Sequence, residues 1–234
     1  MSKNKTPQIY FSSDWHLNHH SEWINSNGEK CGRGIITFER WQFSTIQEHD
    51  KYIINMVQEW AEKWVPGSTL YYLGDFGDIS YLFLFDRLRA YGHKVVFLAG
   101  NHDKEANYDT IAAYVDEFYP YPIYLSNKLV ISHEPVGVWS DTLNVHGHLH
   151  GSVLDSNNYI NASLHVANYK PVTMQQVNNA FSKLPKYNRR FLYEPFSNMM
   201  RFTQKKEDVI MDKDGRVDLS ASRLLMKINA EKRV

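Results

Sequence analysis

Two hydrophobic periods alternate along this chain. Continuous apolar runs rich in β-branched and aromatic residues, Ile9-Tyr10-Phe11-Ser12-Ser13, residues 69–73 and residues 94–99, read as buried strands. Helical spacing separates them. Ile46, Ile53, Val57, Trp60, Ala61 and Trp64 share one face of a helix, with Ser44-Thr45-Ile46-Gln47 as its capping box and Pro66-Gly67 as its stop. A second helix, over about 79–91, turns Leu82, Phe83, Phe85 and Leu88 inward and closes at Gly92. Beyond Asp103 a short helix is expected over 105–114. Ile123-Tyr124-Leu125 and Leu129-Val130-Ile131 then flank Ser126-Asn127-Lys128 as a hairpin. Strands over 143–145 and 159–162 and a helix over 173–184 complete the pattern.

Strand–helix alternation followed by clustered strands predicts an α/β sandwich with mixed pairing. Between Leu17 and Phe43 the chain is rich in Gly, Asn, Ser and charge and reads as a long loop with little regular structure. Residues 185–234 are polar, with a turn at Asp212-Lys213-Asp214-Gly215 and a helix expected over 220–228. Asp212-x-Asp214 lacks the glycine and glutamate spacing of a calcium loop.

Length and charge refine this outline. A chain of 234 residues suits one domain, placed at 1–184, followed by a C-terminal basic extension at 185–234. Lys and Arg balance Asp and Glu at 26 each, so the net charge gives no sign of nucleic-acid or membrane affinity. From Lys183 onward, however, thirteen basic residues face seven acidic ones. A basic tail of this kind is a solvated face or, as an alternative, a phosphate-binding surface for nucleic acid. Cys31 is the single cysteine, which excludes an intrachain disulfide and a thiolate metal cluster and points to a reducing, cytoplasmic interior. Neither a signal peptide nor a membrane span is expected.

The candidate chemistry lies where the apolar runs end. Asp14-x-His16 follows the first strand, Gly74-Asp75 the second and Gly100-Asn101-His102-Asp103 the third. His133 follows the strand at 129–131, and Gly147-His148-x-His150 the strand at 143–145. In open α/β sheets, ligands bind at the carboxyl ends of strands. Each signal alone is ordinary, since Gly-Asp and Gly-Asn are turn pairs and most histidines are solvated. Together they supply oxygen and imidazole donors suited to Mn²⁺, Fe or Zn²⁺. His-x-His on a strand would put both rings on one face.

The order and spelling of these blocks resemble the calcineurin-like metallophosphoesterase superfamily, whose signature runs D-x-H, G-D-x-x-D, G-N-H-D/E, H and G-H-x-H. The resemblance covers roughly residues 8–182, and Asn168-Tyr169-Lys170-Pro171-Val172 looks like the closing segment of small bacterial and phage members. It implies an α/β/β/α sandwich of two mixed sheets flanked by helices. It also implies two divalent ions, with Mn²⁺ favoured over Fe, Zn²⁺, Ni²⁺ or Mg²⁺. The first would take Asp14, His16, Asp75 and His150. The second would take Asp75, Asn101, His133 and His148, with Asp75 bridging alongside a water or hydroxide nucleophile. His102 would be the proton donor, Asp103 would orient its ring, and Asp78 would support from outside.

The implied activity is phosphoester hydrolysis. Phosphodiesters are favoured, nucleotides included, with monoesterase, nuclease or catalytically silent metal-binding scaffold as the alternatives. His19, His20, Arg33 and Arg40 of the long loop are the candidate substrate contacts. No membrane partner is expected, and a homodimer is one option for the assembly. One departure is local: small relatives often carry Gly shortly after the first His, where this chain has Asn18, a residue that tolerates a left-handed turn.

Overall fold

A computed structural model describes residues 6–19, 23–24, 30–31, 43, 45–184, 191–192 and 199–200. Two mixed sheets form its centre. The first contains β1 (Ile9–Ser12), β2 (Thr69–Tyr72), β3 (Lys94–Leu98) and β4 (Glu117–Tyr119), all parallel to their neighbours. The second contains β5 (Ile123–Ser126), β6 (Leu129–Ile131), β7 (Leu143–His146) and β8 (Tyr159–Asn161). There β6, β7 and β8 run parallel, and β5 pairs antiparallel with β6 through the expected hairpin. The short strand β9 (Val172–Thr173) returns to the first sheet, antiparallel to β1.

Alternation along the strands builds two separate cores. Val95 and Phe97 of β3 face one way, and Val96 and Leu98 the other. On the first side lie α1 (Ile46–Lys63), α2 (Phe83–Ala90) and α3 (Tyr108–Ala113). Their Ile53, Val57, Trp60, Leu84, Phe85, Leu88 and Ile111 pack with Leu70, Tyr72 and Phe97. On the second side, Phe11, Val96 and Leu98 meet Leu129, Ile131, Leu143 and Val145 of the other sheet. The last helix, α4 (Met174–Phe181), contacts β1, β9 and β7 and adds Val177 to this inter-sheet core. The mixed two-sheet α/β sandwich with flanking helices is therefore what the chain forms.

Local differences from the sequence reading have identifiable causes. The α1 cap is Thr45, whose side chain accepts from the Glu48 amide, one residue later than the expected box. Residues 79–91 split into a 3-10 turn (Ile79–Tyr81) and α2, and this rotates Phe83 outward to 40% exposure while Leu84 is buried. The strand Glu117–Tyr119 was not expected, because its three residues are only half-buried and show no apolar alternation. Within the expected loop, Trp23–Ile24 pairs antiparallel with Lys30–Cys31.

Beyond Leu184, Phe191–Leu192 pairs with Val138–Trp139, and Met199–Met200 with Val153–Leu154. The described part of the expected extension thus pairs with strands of the domain. The turn at Asp212 and the helix expected over 220–228 lie outside the described residues. Among the described residues, no helix is long and apolar enough to cross a membrane.

Candidate metal centre

Parallel pairing puts the ends of β1, β2 and β3 side by side, and the loops that follow are joined backbone to backbone. The amides of Asp14, His16 and Leu17 donate to the carbonyls of Gly74, Asp75 and Phe76 at 2.9, 3.1 and 2.9 Å. From the second sheet, the loop after β7 reaches across, and the His148 amide donates to the Asp14 carboxylate at 3.0 Å. Two residues permit this approach. Gly74 has φ +91°, and a Cβ there would stand 2.5 Å from the Gly100 nitrogen. A Cβ on Gly147 would stand 2.5 Å from Asp14 Oδ2.

Five of the residues singled out from sequence hold positive φ: Asp14 at 59°, His16 at 46°, Asp75 at 59°, His148 at 65° and His150 at 45°. Left-handed backbone is uncommon for non-glycine residues and clusters at functional sites. Here each such residue sits just past a strand end. Asn18 is also left-handed, at 51°, as its residue type allowed. The expectation that His148 and His150 share a strand face is corrected. Both lie in the turn beyond β7, and their rings join different groups.

Those groups are Asp14, His16 and His150, and Asp75, His133 and His148, each with its donor atoms within 4.8 Å of one another. Asn101 belongs with the second, its Oδ1 lying 2.8 Å from His133 Nε2 and 2.9 Å from His148 Nδ1. Asp75 connects the two. Its Oδ1 accepts from the His102 amide at 2.8 Å, and its Oδ2 stands 3.4 Å from both His16 Nε2 and His133 Nε2.

Asp75 Oδ2 is buried with no hydrogen-bond partner, as are both ring nitrogens of His16. Buried polar atoms are ordinarily satisfied, and unsatisfied ones call for an ion or another explanation. Carboxylate, amide oxygen and imidazole without thiolate form a donor set for divalent metals. The two groups fit two divalent ions.

Charge in the cleft is distributed accordingly. Burial by itself would push Asp14 up, but the imidazoles of His16, His150 and His133 outweigh it and hold the carboxyl well below its ordinary range. Burial would likewise lower His133, yet Asp75 and Asp14 push it up to about 9. His150 is drawn down to about 4, chiefly by burial. Burial would raise Asp75 too, but His133 and His16 hold it below its ordinary range, so both carboxylates are ionised.

The remaining expectations divide. The His102 ring lies edge-on to His16, with centroids 5.3 Å apart, at the exposed rim. His19 stacks on His16 at 4.8 Å and approaches His102 at 5.0 Å, which brings it to the same rim. His20, Arg33 and Arg40 lie outside the described residues. Asp103 was expected to orient the His102 ring, and its hydrogen bonds in the structure go to backbone amides. Its two oxygens accept from the amides of Asp75, Phe76 and Gly100 at 2.8, 3.0 and 2.8 Å, and so hold two loops in place. Asp78 caps the turn at Ile79 through the Ser80 amide and accepts from Asn18 Nδ2 at 2.8 Å.

Three residues escaped the sequence reading. Ser13 Oγ and Ser163 Oγ both donate to Asp14 Oδ2, at 2.5 and 2.7 Å, and His165 meets the ring of His150. Ser163 and His165 lie in no motif, and nothing in their local sequence marks them.

Among solved structures, the protein AQ665 of unknown function from Aquifex aeolicus is similar, with a TM-score of 0.53 at 22% identity over 74% of this chain and 99% of that one. The nuclease MPE of Pseudomonas putida aligns over 61% of each chain at 20% identity, with a TM-score of only 0.34. Uncharacterized protein MJ1445 of Methanocaldococcus jannaschii is 27% identical over 184 residues, which span 73% of this chain and 89% of that protein. The family model for calcineurin-like phosphoesterases matches residues 7–208. That span takes in both sheets and every loop that converges on the cleft, and the chain belongs to the calcineurin-like phosphoesterase family.

Proposed function

We propose that this protein is a dinuclear metal-dependent phosphodiesterase. The observation that carries the reading is the position of Asp75 Oδ2, buried, without a hydrogen-bond partner and equidistant from His16 and His133. In that position one carboxylate can serve two ions. Asp14, His16, Asp75 and His150 would hold the first, and Asp75, Asn101, His133 and His148 the second. When bound, such a pair lowers the pKa of a water nucleophile and neutralises charge on a phosphoryl group. The donors mix oxygen with imidazole and include no thiolate, a set that suits Mn²⁺, Fe or Zn²⁺, and Mn²⁺ is the occupant proposed.

The protein's own groups supply the rest. Asp103 fixes the loops that carry Asp75 and Gly100, so the donors are in place before substrate arrives. His102 stands at the rim beside His16 and would give a proton to the departing alkoxide in this reading. His19, whose ring lies 5.0 Å from that of His102, would contact a substituent of the phosphate in this reading. A diester is the favoured substrate, a choice that the comparison of diester with monoester turnover decides.

Hydrolysis of bis-p-nitrophenyl phosphate with added Mn²⁺, compared with p-nitrophenyl phosphate, tests the proposal. Diester turnover that exceeds monoester turnover and disappears in Asp75→Asn is expected. Faster monoester turnover would reverse the substrate preference. Absence of turnover with every divalent metal tried would favour a metal-binding scaffold.

A further inference from the structure

The two nitrogens of the His150 ring face different groups. Nε2 stands 3.9 Å from Asp14 Oδ1, whereas Nδ1 lies 3.3 Å from Nδ1 of His165, with ring centroids 4.6 Å apart. Two imidazole nitrogens in contact form a hydrogen bond only when one carries a proton and the other a lone pair. A histidine that binds a metal through Nε2 must keep its lone pair there, which leaves its proton on Nδ1. His165 Nδ1 must then be the acceptor.

We infer that His165 is a positioning residue that sets the tautomer and ring angle of His150, and through them the strength of the first metal site. The inference rests on the reading of the two groups as metal sites.

Comparison within the cleft sharpens it. Nδ1 of His133 lies 2.8 Å from the Leu73 carbonyl, an oxygen that can only accept, so its proton position is fixed. Backbone carbonyls and carboxylates are the usual partners behind metal-binding histidines. His150 has an imidazole in that role, and an imidazole can donate as readily as it accepts.

His165 is 3% exposed and sits in the turn after β8. That turn is tied down by the Ala162 amide on the His146 carbonyl, at 2.6 Å, and by the Leu164 amide on the Ser13 carbonyl, at 3.3 Å. The same turn supplies Ser163 to Asp14. One segment without a motif thus orients two donors of the first group, Asp14 and His150.

Mn²⁺ binding by chelator competition on the full chain separates the outcomes, with the His150 tautomer read from ¹⁵N shifts of the metal-free protein. In His165→Leu, one of the two equivalents should weaken by roughly 10–100-fold while the other keeps its affinity, and the His150 proton should spread over both nitrogens. His165→Asn places an amide oxygen near the lost Nδ1 and should restore both readouts. If the Leu variant does not fold in a thermal melt, His165→Gln, with its amide one carbon too far out, replaces it with the same expected loss. Two tight equivalents and an unchanged tautomer in the Leu variant would overturn the inference. So would an Asn variant as weak as Leu, which would assign the loss to packing. A parent protein that binds no Mn²⁺ would instead remove the metal-site reading itself.

Discussion

Asp75 carries two loads at once, a backbone in the left-handed region and a buried oxygen facing two imidazoles. Replacing it with Asn keeps the size and removes the charge that both groups share. Asp75→Asn is therefore expected to weaken both metal equivalents and lower turnover by at least about 100-fold, read by metal titration and diester hydrolysis. Loss of His133 or His150 should weaken mainly one equivalent. Asp103 makes a contrasting case, since its oxygens accept from three backbone amides, that of Asp75 among them, and the hydrogen bonds hold the loops, not the donor side chains. In Asp103→Asn one oxygen becomes a donor facing another donor, and the expected cost is about 2–3 kcal/mol in urea unfolding, with reduced metal affinity following from the displaced loops. The motif spelling placed Asp103 next to His102 and invited an orienting role, but only folded loops show that three amides reach its carboxylate first.

At the scale of elements, helix α4 is the plainest test. Thr173 accepts from the Gln176 amide, and the Gln176 side chain answers at the Thr173 amide, a complete capping box at the edge of the inter-sheet core. Thr173→Ala should cost about 1 kcal/mol of stability while leaving diester turnover intact. A loss of turnover at unchanged stability would contradict the separation of this helix end from the cleft. Helix α1 was legible because its apolar stripe spans five turns, and one slipped residue at the cap changes no buried position. Helix α2 was less so. A 3-10 turn ahead of it shifts the phase, and phase is what a period-based reading assumes to be constant.

In the whole molecule, ionised carboxylates and buried imidazoles gather between the ends of two sheets, an arrangement absent from the unfolded chain. Ions that bind it should stabilise the fold by mass action. Removing metal with a chelator is expected to lower the melting temperature, and saturating Mn²⁺ to raise it; Asp75→Asn should show a much smaller shift. An identical melting temperature with and without Mn²⁺ would argue against ions that bridge the sheets. The sequence by itself determined the apolar runs, their order and the donor residues at their ends, because strand periodicity and turn chemistry act over a few neighbouring residues. It thereby set which side chains could reach one edge. The family resemblance implied which donors share a group and that Asp75 lies between the two, but only the tertiary structure brought them together and decided that Ser13, Ser163 and His165 support the first. Those choices depend on loops from two sheets meeting across more than a hundred residues of chain, a distance over which local pattern carries no information.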